Sequence, residues 1–249
     1  MIHIKDVYMQ RLRIPAGWTI LKNLFYDIEP TPDLEIEGLT PIDGTAWSLF
    51  DYELVYAEHY EQKMILDLGW QPEYSSEGEY VLNLVKESYS TNDPITMCRT
   101  RNKAEIVEAV YQAMLKTSMD NGDFEEKGFM LKALTIPSGW TMVHNQFFDI
   151  DLKSQIDKAE LFGAGMLKLE TPPHPQGRRN IDLSWQPAHD PSGKFVATLM
   201  LTGGDDVENP VSVMETTDID EVPAIIKQLC SWWEPRPKHK RKRIPTLAG

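Results

Sequence analysis

Two cysteines in 249 residues leave little room for a disulfide framework. Cys98 and Cys230 stand far apart in a chain otherwise free of sulfur ligands except methionine, and they read as reduced, buried thiols. No run approaches the roughly 18 apolar residues that a membrane-spanning helix needs. The opening Met1-Ile2-His3-Ile4-Lys5-Asp6 carries no charged segment leading into an apolar one. A cytoplasmic protein with no membrane partner is the expectation. Phosphate-cradling glycine loops, dinucleotide fingerprints, His-Glu-x-x-His, Cys-x-x-Cys and a nucleophile elbow are all missing. The six histidines are scattered, so no metal site and no cofactor is expected.

What the sequence has is an internal repeat. Ile14-Pro15-Ala16-Gly17-Trp18-Thr19 returns as Ile136-Pro137-Ser138-Gly139-Trp140-Thr141, an offset of 122 that continues through Asn23/Asn145, Phe25/Phe147, Asp27/Asp149 and Ile28/Ile150. Asp67-Leu68-Gly69-Trp70-Gln71-Pro72 returns as Asp182-Leu183-Ser184-Trp185-Gln186-Pro187 at an offset of 115. Asn102 and Glu105 match Asp218 and Glu221 just before apolar stretches of helical period. Ordered anchors of this kind read as two tandem copies of one α+β module. The boundaries are 1–117 for the first copy, 118–128 for a polar linker, 129–235 for the second copy and 236–249 for a basic tail without the means to bury a core.

Each copy reads as an antiparallel sheet of about five strands closed by one C-terminal helix. Residues 7–14 and 19–28 read as a hairpin around Pro15-Ala16-Gly17. Further strands are expected near 46–57, 62–70, 79–86 and 95–100, with counterparts near 159–169, 178–185, 194–201 and 211–216. Asn102 with Glu105 resembles a capping box, ahead of the stripe Ile106, Val110 and Met114. In the second copy Pro223 starts the helix at about Asp220, since proline is tolerated only in the first turn. Its stripe runs through Val222, Ile225, Ile226, Leu229 and Trp233.

Charge divides unevenly. Residues 1–117 hold 19 acidic and 10 basic side chains, net −9, and residues 118–235 hold 19 and 9, net −10. The tail holds six basic residues and no acid, which brings the chain to −13. An acidic body repels nucleic acid and suits a basic protein partner, though a negative surface also serves solubility alone.

Candidate binding residues fall into two sets. Asn23, Asp27, Asn145 and Asp149 are polar in both copies; period-two spacing puts Thr19, Asn23, Phe25 and Asp27 on one strand face, as a polar groove or as backbone-bonded strand ends. Glu73, Glu77, Glu79, Asp205, Asp206 and Glu208 lie in expected loops or at strand starts, where a partner reaches them. The tryptophans Trp70 and Trp185 read as core anchors with satisfied indoles.

In composition and architecture the chain resembles the small acidic α+β immunity proteins that neutralise bacterial toxins, without matching them residue by residue. That resemblance implies a non-catalytic protein that covers a basic protein partner. An enzyme with a site in the cleft between the copies is the alternative. A nucleic-acid-associated protein acting through Lys238 to Arg243 is the third reading.

Overall fold

The computed structural model describes residues 2–39, 44–86, 94–119, 129–150, 161–174, 177–202 and 208–231. Its centre is one ten-stranded sheet, antiparallel throughout, with two α-helices among the described residues. The chain is α+β, mostly sheet. In chain order the strands are β1 (Ile2–His3), β2 (Trp18–Asn23), β3 (Ile36–Glu37), β4 (Val55–His59), β5 (Met64–Gln71), β6 (Glu79–Lys86) and β7 (Pro94–Thr100). Helix α1 (Lys103–Met119) follows, then β8 (Trp140–Asn145), β9 (Leu167–Glu170), β10 (Arg178–Gln186), β11 (Lys194–Thr202), β12 (Glu208–Thr216) and α2 (Val222–Cys230). The strand order is β12-β11-β10-β9-β8-β2-β4-β5-β6-β7; β1 and β3 form a separate two-stranded parallel pair.

The sequence explains the strands by alternation. Trp18 and Ile20 are buried while Thr19 and Leu21 are only partly so, and β4 alternates in the same way. Gly17 and Gly139 sit at φ +93° and +90°, the left-handed region that glycine enters without strain. Gly17 is also under His59, whose Nε2 would lie 2.2 Å from a Cβ there.

Irregularities recur at matched positions of the two halves of the chain. β2 carries a bulge between Ile20 and Lys22, and β8 carries one between Met142 and His144, at the offset of 122. The bulge corrects the period-two expectation. It adds a residue to one strand, so Asn23 turns to the buried side with Trp18 while Thr19 stays on the opposite face. Residues 7–14 also depart from expectation, since they form isolated bridges rather than a hairpin with β2. Met9 bridges Tyr26, and Leu12 crosses to bridge Leu134 of the other half. Crossing buries Leu12, Ile14, Leu134 and Ile136 in one shared core, more apolar surface than a two-stranded hairpin covers alone.

Both helices start through matching side-chain bonds. Thr100 Oγ1 donates to Glu105 and Thr216 Oγ1 to Glu221, at 2.6 and 2.5 Å. Asn102 Oδ1 accepts from the Glu105 amide at 3.1 Å. α2 begins at Val222, two residues after the expected Asp220, with Pro223 in its first turn. Ile106, Val110 and Met114 of α1 and Val222, Ile226 and Leu229 of α2 are buried. Ile225 is partly buried, and Trp233 lies outside the described residues.

Trp18 Nε1 donates to the Met114 carbonyl at 3.2 Å, which places α1 over the face of the sheet that carries Trp18. Thr19 pairs with Thr141 where β2 meets β8, so the local two-fold axis of this antiparallel pair runs perpendicular to the sheet between them, and α2 buries Val222, Ile226 and Leu229 in the same core as α1. The opposite face, with Thr19, Tyr56, Asp67, Thr141, Lys168 and Asp182, is half-exposed and carries no described helix. An aromatic cluster repeats under each helix. Trp70 meets Phe50 and Tyr80 at 4.8 and 4.9 Å, and Trp185 meets Phe162 and Phe195 at 5.4 and 4.8 Å.

Candidate functional site

Asn23 and Asn145 are each 3% exposed. Asn23 Nδ2 donates to the Ile136 carbonyl at 3.1 Å and its Oδ1 accepts from the Phe25 amide at 3.3 Å. Asn145 does the reverse across the axis, to Ile14 at 2.9 Å and from Phe147 at 3.0 Å. The two amides therefore fasten each half to the backbone of the other. Thr19 and Thr141 join hydroxyls at 2.8 Å on the axis itself.

Asp27 and Asp149 are solved differently in the two halves. Asp27, with Glu29, pairs with Lys103 at the start of α1. Asp149 pairs with Lys132 at 2.8 Å, and Lys132 reaches Asp220 at 2.6 Å. Burial disfavours the charge on each lysine, but the paired carboxylates outweigh it and hold both ammonium groups above their ordinary pKa. The hydrogen bond from Lys132 holds the Asp220 carboxyl below its ordinary range.

Of the second candidate set, Glu73 and Glu77 are exposed and form no ion pair among the described residues, whereas Glu79 pairs with Arg99 at 3.1 Å. Asp205 and Asp206 lie outside the described residues, as does the side chain of Glu208. The turn carrying Glu73 and Glu77 is fastened at its backbone. Trp70 Nε1 donates to the Ser75 carbonyl at 2.8 Å, and the Tyr74 amide to Phe50 at 2.9 Å. Arg101, stacked on the Trp70 ring at 5.4 Å, donates to the carbonyls of Ser76 and Gly78.

Beside this turn stands Asp51-Tyr52-Glu53, which the sequence reading did not single out. Lys22 Nζ lies 3.1 Å from Asp51, 3.3 Å from Glu53 and 5.4 Å from the Tyr52 ring centre. Tyr74 Oη donates to Asp51 Oδ1 at 3.2 Å, and burial, then the Asp51 charge, pushes the phenol pKa up. The signal was present in the sequence, since matching the halves between anchors sets Gly163-Ala164-Gly165 against this tripeptide.

A second feature is an open cleft of about 460 Å³ at the junction of the halves, lined among others by Gly17, Thr19, His59, Glu61, Thr141 and His144. Among the described residues no three His, Cys, Asp or Glu side chains gather as metal ligands. Comparison with known protein families, with characterised proteins and with solved structures finds no match to this chain.

Proposed function

We propose that this chain is a non-catalytic acidic protein-binding protein, immunity-type or regulatory, which covers a basic protein partner and is built from two tandem copies of one α+β module. The observation that carries the binding reading is the rigid turn that offers Glu73 and Glu77 to solvent on a body of net −19. Charges held in place before association lose little conformational freedom on binding, and complementary charge speeds encounter.

The tandem-copy reading is supported by hydrogen bonds that recur at matched residues. Gln10 to Phe25 and Lys132 to Phe147 are both 2.8 Å; Trp70 to Asp51 and Trp185 to Gly163 are both 2.9 Å. Indoles of Trp70 and Trp185 each donate five residues onward, at 2.8 and 2.7 Å.

Co-purification at low salt, followed by reconstitution with the purified partner, tests the function. The expected partner is a basic protein whose association slows as salt rises. A partner that is acidic, or retained without salt dependence, overturns the reading. An enzyme acting in the junction cleft is the second reading, favoured by His59, His144 and Glu61 among its lining residues. Its test is substrate turnover that is lost in a His144→Ala variant of unchanged stability.

A further inference from the structure

The two halves provide an internal control for which surface groups the fold itself requires. The amide of Tyr74 bonds to the Phe50 carbonyl at 2.9 Å and that of His189 to Phe162 at 2.8 Å. Both residues sit in the left-handed region, at φ 59° and 62°. The backbone of the two turns is thus the same. Their side chains are not: Glu73, Tyr74 and Glu77 stand where the second half has Ala188, His189 and Ser192. In the adjoining segment, Asp51, Tyr52 and Glu53 stand where it has Gly163, Ala164 and Gly165. The second half builds the same turn backbone with none of these four carboxylates and neither tyrosine, its own turn carrying His189 and Asp190. Folding does not demand these groups.

Their arrangement points to what they meet. Tyr52 and Tyr74 are 47% and 52% exposed, and both bond to the same oxygen of Asp51, one through its amide and one through its hydroxyl. Two large amphipathic side chains exposed on either side of one carboxylate are the type of group that dominates protein interfaces. Lys22 already places one ammonium over the Tyr52 ring between two carboxylates, so this surface accepts a cation by ring and charge together. After that pairing the surface keeps an excess of carboxylate, with Glu73 and Glu77 at its rim.

We infer that this surface, on the first half alone, is where a basic segment of the protein partner docks, its arginine or lysine side chains stacking on Tyr52 and Tyr74 and pairing with Glu73 and Glu77. The second half then acts as scaffold. The inference rests on the acidic protein-binding reading and narrows it to one place and one chemistry.

The test uses the full chain and a fluorescently labelled peptide of alternating arginine and glycine, followed by anisotropy at low salt. Tyr52→Ala/Glu73→Gln/Glu77→Gln is compared with Asp205→Asn/Asp206→Asn/Glu208→Gln, which removes one more carboxylate. The expected result is a loss of about tenfold or more in affinity for the first variant and under about twofold for the second. A transplant, Ala164→Tyr/Ala188→Glu/His189→Tyr/Ser192→Glu, is expected to add a second binding equivalent on the matched turn. Equal losses in the two variants mean attraction to net charge alone and overturn the inference while leaving the protein-binding reading in place. Failure of the intact chain to bind the peptide, while it still holds its basic protein partner, overturns the inference only; failure with both overturns the reading as well.

Discussion

The hydroxyls of Thr19 and Thr141 lie 2.8 Å apart, and the two residues are register partners across the β2–β8 junction. Two residues at the sequence offset of 122 that face each other in an antiparallel pair lie on its local two-fold axis. Leu12 and Leu134 mark it again, exchanging amide and carbonyl bonds at 2.9 Å in both directions. Around this axis Asn23 and Asn145 each reach into the opposite half. Their amides are structural pins, because removing either leaves a buried carbonyl and a buried amide without a partner.

Asn23→Ala and Asn145→Ala are therefore expected to lower stability by about 1–3 kcal/mol each, read by urea denaturation. A change under about 0.5 kcal/mol combined with loss of partner binding would move these residues from the junction to the interaction surface.

The same axis predicts how one half behaves alone. Self-partnered positions let residues 1–119 pair with a second copy, Thr19 against Thr19 and Leu12 against Leu12, as the isologous interface of a two-fold dimer does. Expressed without the second half, they are expected to form a dimer or to stay unfolded, because Leu12, Ile14 and Trp18 need cover. A stably folded monomer in analytical ultracentrifugation refutes this.

The strands of β5, β6, β10 and β11 were legible because turn residues bracket alternating apolar runs. The helices were legible because Asn102/Glu105 and Asp218/Glu221 precede a stripe of period near 3.6. The crossing of Leu12 was not, since an isolated bridge to a residue 122 positions away leaves no local pattern. Nor was the bulge at Ile20–Lys22, which has no glycine to announce it and which splits Thr19 from Asn23. The lysine partners of Asp27 and Asp149 come from α1 in one half and from the segment before β8 in the other, so matching the repeated sequence anchors could not find them. On the candidate surface, Glu73 and Glu77 were visible as loop acids. Tyr52 and Tyr74 were hidden, because exposure of an aromatic is a tertiary property.

Replacing Trp70 or Trp185 with alanine is expected to lower stability by about 3–5 kcal/mol, as large core truncations do. Trp70 packs against Trp47, Phe50 and Tyr80 and Trp185 against Phe162 and Phe195, and each indole N–H closes the turn that follows. Trp70→Ala carries a second consequence. It frees the turn that presents Glu73 and Glu77, so partner affinity falls in that variant, while Trp185→Ala leaves affinity unchanged at temperatures where both are folded.

The Lys132 pairs give stability two pH limits. The folded-state pKa of Lys132 is raised, so its contribution is complete below the ordinary ammonium value of about 10.4 and is lost as pH rises through the folded value. That of Asp220 is lowered, so its contribution is present above about 3.9 and is lost as pH falls through the folded value. Lys132→Met is expected to cost about 1 kcal/mol near neutrality, since both carboxylates are substantially exposed. Its stability profile is expected to be flatter than that of the parent at both ends. Denaturation at stepped pH checks this, and a parallel profile shows that the pairs do not set either limit.

Partner binding is expected to depend on the acidic body and not on the basic tail. The two halves carry −9 and −10, while the six basic residues from Arg236 to Arg243 oppose a basic partner. A chain ending at Pro235 should keep its partner, and should associate faster at low salt because a repelling charge has gone. The difference should fade as ionic strength rises, since screening shortens the reach of exposed charges to about 8 Å at physiological salt. Stopped-flow association with the purified partner measures both effects. If the truncation abolishes partner binding, or if the intact chain holds DNA or RNA tightly at about 0.15 M salt, the acidic surface is not the functional element and the tail is.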